Sequence, residues 1–253
     1  MTVRFERIGA VGVITLDRPE ARNAVDGDLA RGLDDAINRV ESDPEIWVAI
    51  LAAEGPVFSA GADLKAIAAG RTAELRTEHG FAGLTRWERT KPLIAAVDGP
   101  ALAGGLELVL SCDLVVASSN ASFGIPEVKR SLVAGAGGLF RLPRALPRNV
   151  ALELGLTGDP ISAERAHTLG LVSELAAPGE ALAVALRLAG RIVANAPLAV
   201  RETRRVMLAA DASTDLERWA QSEEAMRRVA SSEDAAEGPR AFIEKRAPVW
   251  TGR

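Results

Sequence analysis

Hydrophobic positions along this chain follow two periods. Residues 11–16 (VGVITL) are a short β-branched run ended by Asp17-Arg18-Pro19, which predicts a strand and a turn. Over residues 27–42, Leu29, Leu33, Ile37 and Val40 recur at helical spacing, so one face of a helix packs inward. Asp43-Pro44 stops that helix, because the residue before a proline is pushed out of the helical region. Residues 47–52, 93–97 and 113–117 read as buried strands. Residues 58–65 (FSAGADLK) predict a loop leading into a helix, residues 71–90 a polar helix, and residues 104–111 a helix beginning on Gly104-Gly105.

After about residue 147 the pattern changes. Periodicity there predicts helices over 148–156, 162–168, 179–194, 197–209, 214–230 and 234–245, interrupted by one strand at 171–175. The first 145 or so residues thus alternate strand and helix, and the last third is mostly helical. This is an α/β core with a helical C-terminal extension. Neither a 20–50-residue repeat nor a low-complexity linker is visible.

Composition narrows the function classes. The chain has 253 residues, enough to bury a sizeable core without disulfides. Only 4% are aromatic and Tyr is absent, so the core is built from Ala, Leu, Val and Ile. A net charge of −4 argues against nucleic acid, since phosphate binding needs clustered positive charge. Cys112 is the single cysteine, so no intrachain disulfide can form and a reducing, cytoplasmic setting is expected. The start of the chain, MTVRFER, lacks the apolar stretch of a signal peptide. The longest apolar run, residues 92–110, contains Asp98, Pro100 and Glu107, which fits buried core and not a membrane helix.

The chemistry points to two glycine-bearing turns and two glutamates. The turns are Ala60-Gly61-Ala62-Asp63 and Ala103-Gly104-Gly105-Leu106-Glu107. Where each opens a helix, it offers backbone N–H groups without intrahelical partners, and such donors favour developing negative charge. Two converging on one point would form an oxyanion hole. Glu107 lies in strongly apolar sequence three residues past Gly104, on the same helical face. Its carboxylate would be costly there unless paired or raised in pKa, and a raised pKa suits proton transfer near neutrality. A helix-start Glu that complements the dipole is the plainer alternative, and spacing alone leaves both open. Glu127, in Phe123-Gly-Ile-Pro-Glu127, taken alone reads as an exposed loop glutamate.

Other signals carry little. Residues 135–140 (GAGGLF) imitate a dinucleotide fingerprint but lack its third glycine and its context. No G-x-S-x-G elbow is present. His79 and His167 lack ligand-spaced partners, so no metal is expected. Cys112 beside Asp113 reads as core. The arginines of 71–91 alternate with Glu74, Glu78 and Glu88, the mark of a solvated face.

Six blocks together are more specific than any one motif. VFSAGADLK (57–65), KPLIAAVDGPALAGGLEL (91–108), ASFGIPE (121–127), AGAGGLFRLPR (134–144), LTGDPISAERAHTLGLV (156–172) and AFIEKR (241–246) resemble the crotonase (enoyl-CoA hydratase/isomerase) family in order and spacing. The likeness runs from about residue 3 to the C-terminus. Within the family, residues 80–97 and 231–253 are most similar to the carnitinyl-CoA (crotonobetainyl-CoA) dehydratase branch. Two departures stand out: Asp98 where the family usually has Asn, and Ala103 in place of the first glycine of a frequent triple.

The resemblance implies a crotonase-like ββα spiral over residues 1–195 and a C-terminal helical trimerisation region over 196–253. It implies a homotrimer or a dimer of trimers. It implies an oxyanion hole from the N–H groups of Ala62 and Gly104. Glu107 and Glu127 would hold one water between them, helped by the Gly135 N–H, with Glu107 as base and Glu127 delivering a proton to C2. Arg22, Ala24, Ala60, Asp63, Leu64 and Lys65 would line the coenzyme A pocket. Phe242 and Lys245 would reach coenzyme A, in a neighbouring subunit. No permanently bound cofactor is expected; coenzyme A arrives as part of the substrate. A Δ3,Δ2-enoyl-CoA isomerase on the same fold is the nearest rival, and a non-enzymatic RNA-binding module the rival of another class.

Overall fold

Alternation within the central strands decides the architecture. The computed structural model describes residues 2–210 and 213–253. Strands β1 (Val3–Ile8), β2 (Val11–Leu16) and β3 (Val48–Ala53) are separated by helix α1 (Gly27–Ser42). The main sheet continues with β6 (Leu93–Val97), β8 (Leu114–Ser118) and β11 (Glu174–Ala176), in the order β1-β2-β3-β6-β8-β11. Within this sheet, among the described residues, β1–β2 is the antiparallel pair and the other pairs are parallel. Successive side chains point to opposite faces. Leu16, Leu51, Leu93 and Val97 therefore join the core that contains α1. Val13, Ile50, Ile94 and Val116 join the opposite core, against Val184, Ala185 and Leu188 of α7 (Ala181–Val193). Both faces are covered, which is why these strands read as continuous apolar runs.

Between these strands lie the elements that carry the site. They are α2 (Leu64–Ala68), the hairpin of β4 (Arg76–Thr77) and β5 (Gly80–Phe81), β7 (Ala101–Leu102), α3 (Gly104–Val109) and β9 (Ser122–Gly124). Next come α4 (Gly138–Ala145), α5 (Arg148–Thr157), β10 (Ile161–Ser162) and α6 (Ala163–Thr168). Strands β10, β9 and β7 form a small second sheet in that order. Helices α8 (Pro197–Ala209), α9 (Asp215–Ala230) and α10 (Asp234–Glu244) complete the chain. The C-terminal residues fold back: Trp250 Nε1 donates to the Ala194 carbonyl at 2.8 Å, and Arg204 pairs with Asp113 at 2.9 Å. No single helix among the described residues is long and apolar enough to cross a membrane.

Three expectations change. Residues 71–90 are not a helix but a 3-10 turn (Thr72–Leu75), the β4–β5 hairpin and further turns. Gly80, Ala82 and Gly83 have φ of 84°, 54° and 67°, left-handed values that no helix can contain. His79 is anchored to Asp34 of α1 at 2.7 Å. The strand expected at 171–175 begins at Glu174, because the N–H groups of Leu171 and Val172 close α6 on the Ala166 carbonyl. Residues 3–8 form a strand that alternating charges conceal. Asp98, the unusual acid, anchors α7 by accepting from the N–H groups of Gly179 and Ala181 at 2.8 and 3.2 Å. Capping an N-terminus with a carboxylate is favourable twice over, through hydrogen bonding and through the helix dipole.

Candidate active site

Backbone bonds stitch the two glycine turns together. The Leu102 N–H donates to the Ser59 carbonyl at 3.0 Å, and the Ser59 N–H to Pro100 at 3.3 Å. On its other side, residues 59–63 lie beside 23–25: Val25 N–H donates to Gly61 at 2.7 Å and Asp63 N–H to Val25 at 2.9 Å. Buried polar side chains hold this layer. Asn23 donates to the carbonyls of Glu54 and Val57, and the Ser59 hydroxyl donates to Asn23 and accepts from the Gly61 N–H. Close approach explains the glycines. A Cβ on Gly105 would lie 2.2 Å from the Ser59 oxygen, and one on Gly104 2.6 Å from the Phe81 ring. Gly61 is so close to the second turn that its Cβ would lie 2.7 Å from the Gly104 nitrogen. Ala103 precedes α3 with φ 53° and ψ −127°, a strained setting for a residue with a Cβ. Neither the Ala62 nor the Gly104 N–H donates to a protein acceptor among the described residues.

Both turns face one cavity of about 670 Å³. Glu107 and Glu127 line it together with Ala62, Gly104 and Gly135. Arg22, Ala24, Ala60, Asp63, Leu64 and Lys65 line it as well. Phe242 and Lys245 do not: they sit at the end of α10, and Phe242 is 86% exposed. Asp63 does more than line the wall. Its carboxylate caps α2, accepting from the Lys65 N–H at 2.8 Å, and pairs with Arg18 at 2.7 Å. Burial resists its ionisation, but the Arg18 bond and the Lys65 and Ala66 N–H groups outweigh that, and its pKa lies below the usual range.

Glu107 is only 3% exposed. Its Oε1 accepts from the N–H groups of Ala136 at 2.7 Å and Gly138 at 2.9 Å, while Oε2 accepts from no protein group among the described residues. Burial raises its pKa; the two N–H donors and the charges of Arg141 and Arg76 restrain the rise. Glu127 stands in a 3-10 turn (Pro126–Arg130), with Oε2 buried and without a hydrogen-bond partner among the described residues. Burial raises its pKa too, opposed by its own N–H, and the nearby Glu107 charge raises it further. Two carboxyls on one cavity, one hung from backbone donors and one poorly solvated, have the makings of an acid and a base. Glu107 does stand in the first turn of α3, with its carboxylate bonded to the 136–138 turn, while the exposed-loop reading of Glu127 fails because the residue is half-buried.

The profile of the enoyl-CoA hydratase/isomerase family matches residues 6–253. The chain belongs to that family. A carnitinyl-CoA dehydratase of Salmonella typhi is 40% identical over 259 residues, covering all of this chain and 99% of the relative. The crystal structure of an enoyl-CoA hydratase from Mycobacterium tuberculosis H37Rv superposes with a TM-score of 0.96 at 48% identity, covering 100% and 99% of the two chains. A carnitinyl-CoA hydratase from Mycobacterium avium gives 0.78 at 46% identity, with the same coverage. The crotonase fold of this family member therefore agrees with the resemblance in its sequence.

Several site residues escaped the sequence. The Ala136 and Gly138 N–H donors were hidden in the glycine run that imitates a dinucleotide loop, although consecutive small residues before a helix do signal available backbone donors. Arg141 braces that turn, donating to Ala136, Ser111 and Thr85. Arg76 and Arg130 also line the cavity, and among the described residues neither guanidinium has a hydrogen-bond or ion-pair partner. Cys112 keeps its structural reading: desolvation pushes its thiol up to about 12, which removes it as a nucleophile at neutral pH. Among the described residues no group of three or more His, Cys, Asp or Glu could hold a metal.

Proposed function

We propose that the chain adds water across the C2–C3 bond of a 2-enoyl-CoA thioester, and removes it in reverse. The observation that carries this is the pairing of Glu107 and Glu127 on one cavity wall beside two uncommitted backbone N–H groups. The thioester oxygen accepts from the N–H groups of Ala62 and Gly104, which stabilise the enolate that forms. Glu107 removes a proton from water as its oxygen bonds to C3. The C2–C3 electron pair moves toward the thioester, and returns as C2 takes the proton of the Glu127 carboxyl. Proton exchange with solvent then returns Glu107 to its carboxylate and Glu127 to its carboxylic acid. The Gly135 N–H helps hold the water. An oxyanion donor contributes about 3–4 kcal/mol, and each acid–base group roughly 10²–10⁴-fold in rate. Hydration uses both glutamates, whereas moving a double bond between C3 and C2 needs one, so the pair favours hydration.

Arg22, Ala24, Ala60, Leu64 and Lys65 form the coenzyme A side of the cavity in this reading, with Asp63 setting the angle of α2. Phe242 and Lys245 serve the cavity of a neighbouring subunit in a trimer or dimer of trimers. The support for that is the exposed apolar set of the last helices, including Met207, Leu216, Trp219, Met226 and Phe242. A cytoplasmic location fits the single free cysteine. Carnitinyl-CoA, named for relatives, is one candidate among such thioesters. The test is hydration of crotonyl-CoA by wild type, Glu107→Gln and Glu127→Gln, with coenzyme A ester affinity measured alongside. Each variant should lose at least about 100-fold in kcat while still holding the ester. Full activity in either would sink the two-glutamate mechanism.

A further inference from the structure

The cavity contains more positive charge than its coenzyme A side accounts for. Arg22 and Lys65 belong to the loop before α1 and to α2. Arg76 belongs to the β4–β5 hairpin and stands by the acid–base pair instead. A Cβ on Gly135 would lie 4.0 Å from Arg76 Nη2, and the Arg76 charge acts on Glu107. Arg76 is an exposed residue whose guanidinium forms no hydrogen bond or ion pair with any described residue, and it lines the cavity. Of the other lining side chains, one is aromatic, Phe81, and its ring is spent against Gly104. The lining carboxylates are Asp63, already paired with Arg18, and the two proton-exchanging glutamates.

A quaternary ammonium is recognised by aromatic faces. Here it would find one committed ring and an unpaired guanidinium of like charge. A carboxylate would find a planar donor fork suited to its two oxygens. We propose that Arg76 selects an acyl group with an anionic terminus one carbon beyond the reacting double bond, so that the preferred substrate is a dicarboxylic mono-CoA ester. This rests on the hydratase reading above and names the substrate class of that same site. The geometry follows from that reading: with the carbonyl on Ala62 and Gly104 and C3 facing the water beside Gly135, the C4 substituent extends toward the Gly135 side, where Arg76 stands.

The experiment compares three esters that differ only at C4: crotonyl-CoA, glutaconyl-CoA with a carboxylate, and crotonobetainyl-CoA with a trimethylammonium group. Wild type should prefer glutaconyl-CoA over crotonyl-CoA in kcat/KM, and crotonobetainyl-CoA should be the poorest. Arg76→Met should lower the glutaconyl-to-crotonyl ratio by about 10- to 100-fold, the size of a lost charge-assisted pair. Arg76→Glu should move the order toward crotonobetainyl-CoA. The ratio is the decisive readout, because an effect of Arg76 on Glu107 alone would scale all three esters together. Calorimetry of glutaryl-CoA and butyryl-CoA on the Glu107→Gln protein provides a readout free of chemistry: glutaryl-CoA should bind more tightly, and Arg76→Met should erase the difference. Hydration of crotonyl-CoA with a ratio untouched by Arg76→Met, or equal affinities for the two saturated esters, would overturn the assignment and leave the hydratase reading standing. Turnover of none of the three would overturn both.

Discussion

Replacing Glu107 in two ways separates its chemistry from its structural duty. Gln retains an Oε1 that can accept from the Ala136 and Gly138 N–H groups, at present 2.7 and 2.9 Å away. It cannot take a proton from water. Losing a positioned base costs about 10²–10⁴ in rate, equivalent to about 3–5 kcal/mol of barrier. Stability should not fall with it. The folded pKa of Glu107 is raised, so its protonated form favours the fold, and that contribution disappears as pH rises through the folded value. Gln, permanently neutral, should make the protein at least as stable as wild type above that value. Ala differs: it strands two donors, and an unsatisfied buried group costs about 1–3 kcal/mol. The Ala variant should therefore lose about 2–6 kcal/mol if both N–H groups stay unpaired. Hydration followed by loss of the enoyl ultraviolet absorbance, with urea unfolding near pH 7.5, measures both. An Ala variant as stable as the Gln variant would refute the claim that this carboxylate anchors the 136–138 turn.

The remaining predictions concern pH and packing. Both Glu107 and Glu127 are raised, so the acid limb of kcat/KM should lie above the roughly 4.3 of a free glutamate, and Glu127→Gln should remove the alkaline limb that its proton sets. A profile flat down to pH 4 would contradict this. Asp63 behaves oppositely: its folded pKa is lowered, so its stabilisation is complete above the unfolded value and is lost as pH falls through the folded one. Asp63→Asn should flatten the acid side of the stability profile, and an unchanged slope in acid unfolding would refute it. Gly105→Ala sets a methyl 2.2 Å from the Ser59 oxygen and should separate the two turns, lowering kcat more than ester affinity. A crystal structure with both turns undisturbed would argue against that coupling.

What the sequence disclosed follows physical lines. Helix α1 and strand β2 occupy the predicted spans because their apolar spacing is uninterrupted, and the C-terminal helices appear within a few residues of expectation. Strand β1 was hidden, since an edge strand carries charge at alternate positions. The hairpin at 76–81 was hidden too. A polar stretch with few apolar positions imitates a solvated helix, and only left-handed backbone at Gly80, Ala82 and Gly83 tells them apart. The short strands β7, β9 and β10 have two or three residues each, too few for any period. At the site, Glu107 was suspect because a carboxylate in apolar sequence needs a reason. Glu127 was not, because its burial comes from the fold around the Pro126 turn. Its pairing with Glu107 could be expected from resemblance but not from spacing. The sequence conceals Arg76 for the same reason as the hairpin that presents it.

One closed circuit of hydrogen bonds has a consequence for how such a site can change. The Ser111 hydroxyl donates to the Glu107 carbonyl, Arg141 reaches both Ser111 and the Ala136 carbonyl, and the Ala136 N–H returns to the Glu107 carboxylate. Ser111, Arg141 and Ala136 thus brace Glu107 as a truss braces a joint, and the Arg76 side chain takes no part in the circuit. The far wall can drift through many side chains, and so through many acyl groups, while the reacting centre keeps its shape. A protein wired this way can acquire a new substrate without relearning its chemistry.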